Sequence, residues 1–112
     1  MFYGVQVGAI NALKSDKEWF YNLNKIYKKR REIIFKICDN LNLEYRNDSV
    51  GMFVWAKIKN EINSEKLSDF LLYKKNIFVA PGFIFGKNGE GYVRFSLCID
   101  ESQINEALKR LT

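Results

Sequence analysis

The sequence predicts an α+β domain in which a small mixed or antiparallel sheet is covered on one face by helices, one of them long and close to the N-terminus. Three observations carry this expectation. Leu23, Ile26, Tyr27, Ile34, Ile37 and Leu41 recur at intervals that keep them on one face of a helix. YVRFSLC alternates with the period of two that marks a strand, and MFVWAKI reads as a strand apolar on both faces. The order helix, long helix, strands, helix, strand, strand, helix layers helices against a sheet.

Taken in order, residues 4–14 (GVQVGAINALK) place Val5, Ala9, Ala12 and Leu13 at the spacing of a short helix. Ser15 or Asp16 can then cap the long helix by offering a side-chain oxygen to free backbone N–H groups, with Asp16 and Glu18 well placed for its dipole. That helix runs to about Leu41. Its basic cluster, Lys28, Lys29, Arg30 and Arg31, is spread around several faces, and cationic stems of this kind commonly cover apolar surface. A turn at 40–42, the extended LEYR and a turn at Asn47 and Asp48 lead to the strand MFVWAKI. There Met52, Val54, Ala56 and Ile58 fall on one face, and Phe53, Trp55 and Lys57 on the other, so cover is expected on both.

Residues 64–74 read as a helix with Leu67, Phe70 and Leu71 inward. Ile77–Ala80 reads as a short strand stopped by Pro81 and Gly82. Gly86, Gly89 and Gly91 punctuate a loop. Then Val93, Phe95 and Leu97 alternate with Tyr92, Arg94, Ser96 and Cys98. Asp100 and Gln103 make a capping-box-like start for a last helix lined by Ile104, Ala107, Leu108 and Leu111. No internal repeat, linker or low-complexity segment interrupts this plan.

The bulk composition bounds the rest. A chain of 112 residues buries roughly 65 % of the surface its unfolded form exposes, enough for one domain with a core. With 47 % hydrophobic residues, nine Phe and a single Pro, it is expected to be ordered throughout. No apolar run reaches membrane-spanning length and the N-terminus lacks a signal-peptide pattern, so a soluble, cytoplasmic protein is expected. Cys38 and Cys98 have no metal-ligand spacing and are read as buried free thiols; with no His in the chain, neither a metal site nor imidazole acid-base chemistry is expected. The net charge of +5 permits a polyanion partner without requiring one.

Arg94 stands out as a site residue. It lies mid-strand, on a rigid element, and points away from the face that the helices cover. A guanidinium fork there can grip a carboxylate through two parallel hydrogen bonds, unless it is an ordinary exposed or salt-bridged strand arginine. The loop GKNGEG lacks the strand-to-helix order and the spacing of a phosphate-binding loop, and reads as a turn that feeds Arg94 into place.

FVAPGFIFGKNGEGYVRFSL, followed by IDESQINEALKRL, resembles the end of class I/II aminotransferases of pyridoxal-phosphate fold type I. YGVQVGAINAL resembles the helix after the cofactor-lysine segment of that family, YKKRREII its Y-x-x-R-R helix, and GMFVWAKI its first small-domain strand. The match covers nearly the whole chain. It implies that residues 1–112 form the C-terminal small domain, with residues 1–15 a remnant of the last large-domain helix and the cofactor-binding large domain absent. It implies further that Arg94 binds the substrate α-carboxylate and that Phe53, Trp55 and Pro81–Phe85, Phe83 among them, lie near the substrate entrance. Tyr3 and Gly4 would approach the cofactor of a neighbouring subunit.

No catalytic residue is expected within this piece. No Ser has a Lys three places on, as the family's cofactor lysine would require, so the chain alone is expected not to transaminate. Its parent would be a homodimer using pyridoxal 5'-phosphate on an amino acid and a 2-oxo acid, without nucleic acid or membrane as partner. Met1 would then be an internal cut or the start of a truncated reading frame. Other fold type I enzymes, β-lyases or decarboxylases, would keep the same arginine. A small basic nucleic-acid-binding α+β domain is the rival from another class, resting on +5 and KKRR.

Overall fold

A computed structural model describes all 112 residues. Helix α1 spans Tyr3–Leu13 and α2 Lys17–Asn40; β1 is Leu43–Tyr45 and β2 Phe53–Ile58; α3 is Ser64–Lys75 and β3 Ala80–Pro81; β4 is Tyr92–Ser96 and α4 Glu101–Leu111. Two 3₁₀ turns, Gly82–Phe85 and Lys87–Gly89, join β3 to β4. The helices start where capping chemistry allows. The side chains of Asp16, Asn63 and Asp100 accept hydrogen bonds from the backbone N–H groups of Glu18, Lys66 and Gln103. Asp100 also accepts from the Ser102 hydroxyl, and these bonds hold its carboxyl below the usual carboxylate range.

The sheet is antiparallel throughout, in the order β1-β2-β4-β3. Helices α2, α3 and α4 cover one face. Val54, Ala56 and Ile58 of β2 and Val93, Phe95 and Leu97 at β4 meet Ile34, Ile37 and Cys38 of α2, Leu71 of α3 and Ile104 of α4 in one apolar core. Arg30 and Arg31 of α2 reach over this core to the far end of the central strand pair. Arg30 donates to the carbonyl of Leu97 at 2.8 Å, and Arg31 to that of Gly51. Lys29 pairs with Glu101 of α4 at 2.7 Å. Three of the four residues in the basic cluster therefore have partners within the chain.

Several expectations need correction. The second face of β2 is open: Phe53 is 38 % and Trp55 40 % exposed, so this strand is covered once. Ile77–Val79 form no strand, and β3 is only Ala80–Pro81. Asn76 turns left-handed at the end of α3 (φ 54°), Ile77 donates back to the carbonyl of Leu71, and the Ser68 hydroxyl takes the Val79 carbonyl at 2.7 Å. Those groups are no longer free for a ladder. Pro81 is the last residue of β3, its missing N–H tolerated on an edge strand, and the chain leaves the sheet at Gly82, where the Pro-Gly pair is expected to stop it.

In α3, Leu71 is buried and Leu67 packs partly buried against the core as expected, but Phe70 is exposed and Ser64 and Ser68 complete the inward face; the two buried hydroxyls are satisfied by Glu90 and Val79. Cys98 lies beyond the end of β4 and is exposed, whereas Cys38 is fully buried. Burial, with the adjacent Asp39 adding to it, pushes the Cys38 thiol up to about 12.

Helix α1 buries no residue. It extends the molecule, whose radius of gyration is 16.7 Å against about 13 Å for a compact 100-residue domain. No charged residue occurs between Met1 and Leu13, and Tyr3, Val5, Ile10 and Leu13 are all exposed. No helix is long and apolar enough to cross a membrane.

Candidate functional site

The open face of the sheet is where side chains converge without being used by the core. Alternation puts Phe53, Trp55 and Lys57 of β2 and Tyr92, Arg94 and Ser96 of β4 on that face, because their neighbours Val54, Ala56, Val93 and Phe95 are buried on the other. The antiparallel register sets Trp55 directly opposite Arg94, Phe53 opposite Ser96, and Ala80 of β3 on the other flank of Arg94.

Arg94 is bracketed by two rings. Its guanidinium carbon lies 4.1 Å from the centroid of Phe53 and 4.3 Å from that of Phe85. Both distances are well inside the range where a cation is attracted to a ring face. Trp55 backs this arrangement, edge-on to Phe85 at 5.7 Å and stacked on Tyr92 at 5.3 Å. Beside it an open concavity of about 530 Å³ is lined by Phe53, Trp55 and Tyr92, with Arg46 and Lys57 also on its wall.

The hydrogen-bonding state of Arg94 sets it apart. The chain has five arginines. Arg30 and Arg31 donate to backbone carbonyls, Arg46 makes a two-bond pair with Asp48, and Arg110 binds Glu106 and the carbonyl of Asn76. Arg94 alone has no acceptor and no ion pair within the chain. A half-buried guanidinium with five unused donors, fixed on a strand beside two rings, has the donors to hold a planar anion with two oxygens. No salt bridge within this chain accounts for the residue.

The sequence-derived residues divide accordingly. Phe53 and Arg94 are brought together. Phe83 is not: it is 43 % exposed and makes no ring contact with Arg94, the place being taken by Phe85 two residues on. Tyr3 and Gly4 sit on the first turn of the exposed α1, and no hydrogen bond or ring contact ties them to this face; a Cβ on Gly4 would meet only the movable ring of Phe2. No three His, Cys, Asp or Glu side chains converge where they could hold a metal.

Sequence reasoning missed how the loop between β3 and β4 is built. Gly82 and Gly89 are packed backbone to backbone at its neck, a Cβ on Gly82 falling 1.9 Å from the Gly89 carbonyl oxygen. Glu90 then ties the loop to α3, its carboxylate accepting from the backbone N–H groups of Ser64 (2.8 Å) and Gly91 (2.9 Å) and from the Ser64 hydroxyl (3.2 Å). The two glycines were visible in the sequence. Their contact was not, since it depends on β3 and β4 pairing.

Comparison with known proteins places the chain in a family. The sequence profile of the family described as "Aminotransferase class I and II" matches residues 4–111. The chain is 34 % identical over its whole length to the LL-diaminopimelate aminotransferase of Maridesulfovibrio salexigens, covering 29 % of that protein. Among solved structures, substrate-bound BacF of Bacillus subtilis superposes with a TM-score of 0.82 at 34 % identity, over 99 % of this chain and 29 % of that one. The aromatic aminotransferase of Pyrococcus horikoshii superposes with a TM-score of 0.81 at 30 % identity, over 96 % of this chain and 30 % of that one. This chain thus spans under a third of the length of the relatives it matches. With the profile match running through α1, the sheet and α4 alike, the chain belongs to the class I and II aminotransferase family.

Proposed function

We propose that this chain is the C-terminal small domain of a pyridoxal-phosphate-dependent aminotransferase, residues 1–15 being the end of its large domain, and that Arg94 holds the α-carboxylate of the amino acid and 2-oxo acid substrates. The observation that carries this reading is the unpaired guanidinium of Arg94 between Phe53 and Phe85. A carboxylate meeting the free edge of the fork gains two charge-assisted hydrogen bonds. The flanking rings stack against the guanidinium and hold it in place, so less side-chain freedom is left to lose on binding. On this reading the whole enzyme is a cytoplasmic homodimer of amino-acid metabolism.

The residues present do not fit pyridoxal phosphate itself. The charged groups that strand alternation places on the open face are Arg94, Lys57 and Glu44, and no lysine adjoins Arg94. In the glycine-rich loop the N–H groups of Gly86, Gly89, Glu90 and Gly91 already donate within the chain, leaving no cradle of them for a phosphate. The cofactor therefore belongs to the remainder of the enzyme, and the role proposed for Arg94 is toward substrate. The reading frame preceding the Met1 codon tests the proposal. It is expected to encode a cofactor-lysine segment, and a frame without one would overturn the aminotransferase reading.

The state of α1 supports the same assignment. A helix that is apolar all round is normally enclosed on all sides, and here Tyr3, Val5, Ile10 and Leu13, together with Trp19, Phe20 and Tyr21 of α2, are exposed. In the proposed enzyme the large domain covers them. On its own, the 112-residue chain is expected to self-associate through this surface. A light-scattering mass that stays monomeric as concentration rises would count against it.

A further inference from the structure

The loop that carries Phe85 to Arg94 has little to hold it. Phe83, Ile84 and Phe85 are each between 43 % and 55 % exposed, and the buried residues of the two 3₁₀ turns are Gly82 and Gly89. No side chain of the loop enters the core. Beside the edge-on contact of Phe85 with Trp55, its position is set by the glycine neck and by Glu90 and Gly91, the next residues of the chain. Gly91 is in the left-handed region (φ 82°) and gives its carbonyl to the N–H of Ile58, the first rung of the β2–β4 pairing.

Glu90 stands where these parts meet. One carboxylate oxygen accepts from the N–H of Gly91, at the start of the strand that bears Arg94, and from the N–H of Ser64, in the first turn of α3. The other accepts from the buried Ser64 hydroxyl. We infer that Glu90 is a positioning residue: by pinning the loop's end to α3 it holds the Phe85 ring over Arg94 and so keeps the guanidinium aligned for its carboxylate. The backbone bonds from Ser64 and Gly91 hold the Glu90 carboxyl below the usual carboxylate range, so the latch is closed at neutral pH.

This inference rests on Arg94 being the carboxylate receptor, but its test needs no ligand and can fail independently of that reading. Arginine δ-carbon and proton signals are recorded on the 112-residue chain labelled with ¹³C-arginine, Arg94 being assigned through Arg94→Lys. The Arg94 protons are expected to lie upfield of the other four arginines because they sit under two rings, and Phe85→Leu sets the position reached when the upper ring is removed. Glu90→Gln, which keeps the shape but cannot accept all three bonds, is expected to move the Arg94 signal most of the way to the Phe85→Leu position. Glu90→Asp is expected to restore part of the shift, and the unfolding transition is expected to stay cooperative in both. An Arg94 signal unmoved in Glu90→Gln would overturn the inference. So would loss of cooperative unfolding, which would make Glu90 a folding residue instead.

Discussion

Replacing Gly82 by Ala is expected to destabilise the chain by about 3 kcal/mol, the upper end of the usual range for overpacking, and to lower Tm by roughly 10 to 25 °C at the 4–8 °C per kcal/mol typical of a domain this size. The added Cβ would fall 1.9 Å from the Gly89 carbonyl oxygen and 2.6 Å from that of Tyr92. Both obstacles are backbone, so no side chain can swing away. Gly82 also comes directly after Pro81, which pairs with Val93, so opening the neck strains the β3–β4 edge as well as the loop. Gly8→Ala is the control: a Cβ there meets nothing within 4 Å and sits in a helix, where Ala is favoured by about 0.5–1 kcal/mol. Thermal unfolding followed by circular dichroism reads both, and a Gly82→Ala midpoint within a degree or two of the parent would mean the neck is not closed.

How far such a site can be read from sequence depends on what kind of information fixes each part. Strand alternation is local, so the division of Val93, Phe95 and Leu97 from Tyr92, Arg94 and Ser96 was legible and holds. Caps are local too, and Asp16 and Asp100 act as read. The failures occur where a distant partner decides. MFVWAKI is apolar on both faces, but no α-helix of this chain packs on the Phe53–Trp55 side, which Phe85 of the first 3₁₀ turn reaches; apolar character there reflects a site or an interface, which periodicity cannot distinguish from core. Ile77–Val79 has the composition of a strand, yet Ser68, eleven residues back, takes the Val79 carbonyl.

The KKRR cluster shows the same limit from the other side. Its charge is legible, but that Arg30 and Arg31 clamp the Leu97 and Gly51 carbonyls depends on strands up to 67 residues away. Once those bonds are counted, little of the cluster is left to recognise a polyanion. That Phe85 and not Phe83 meets Arg94 escapes a reading of residue types for a similar reason, since which ring of GFIF turns toward the guanidinium is fixed by the 3₁₀ geometry of Gly82–Phe85.

In the complete enzyme proposed here, Arg94→Ala is expected to cut kcat/KM for amino acids by roughly 30-fold to several-thousand-fold. The figure follows from the cost of truncating one member of a desolvated charge pair, about 2–5 kcal/mol, read as a rate ratio. Nothing else in this chain can take over: Arg46 is committed to Asp48, and Lys57 stands opposite Tyr92, one cross-strand pair beyond the residue that faces Ala56. Arg94→Lys should recover only part of the loss, because an ammonium keeps the charge but neither the two-pronged fork nor the planar stacking between Phe53 and Phe85. Steady-state kinetics with an amino acid beside its decarboxylated amine separates recognition from damage. The amine offers no carboxylate, so its already slow turnover should change little while that of the amino acid collapses. Equal losses for both would assign Arg94 to the integrity of the sheet, and the receptor reading of its unpaired guanidinium would fail with it.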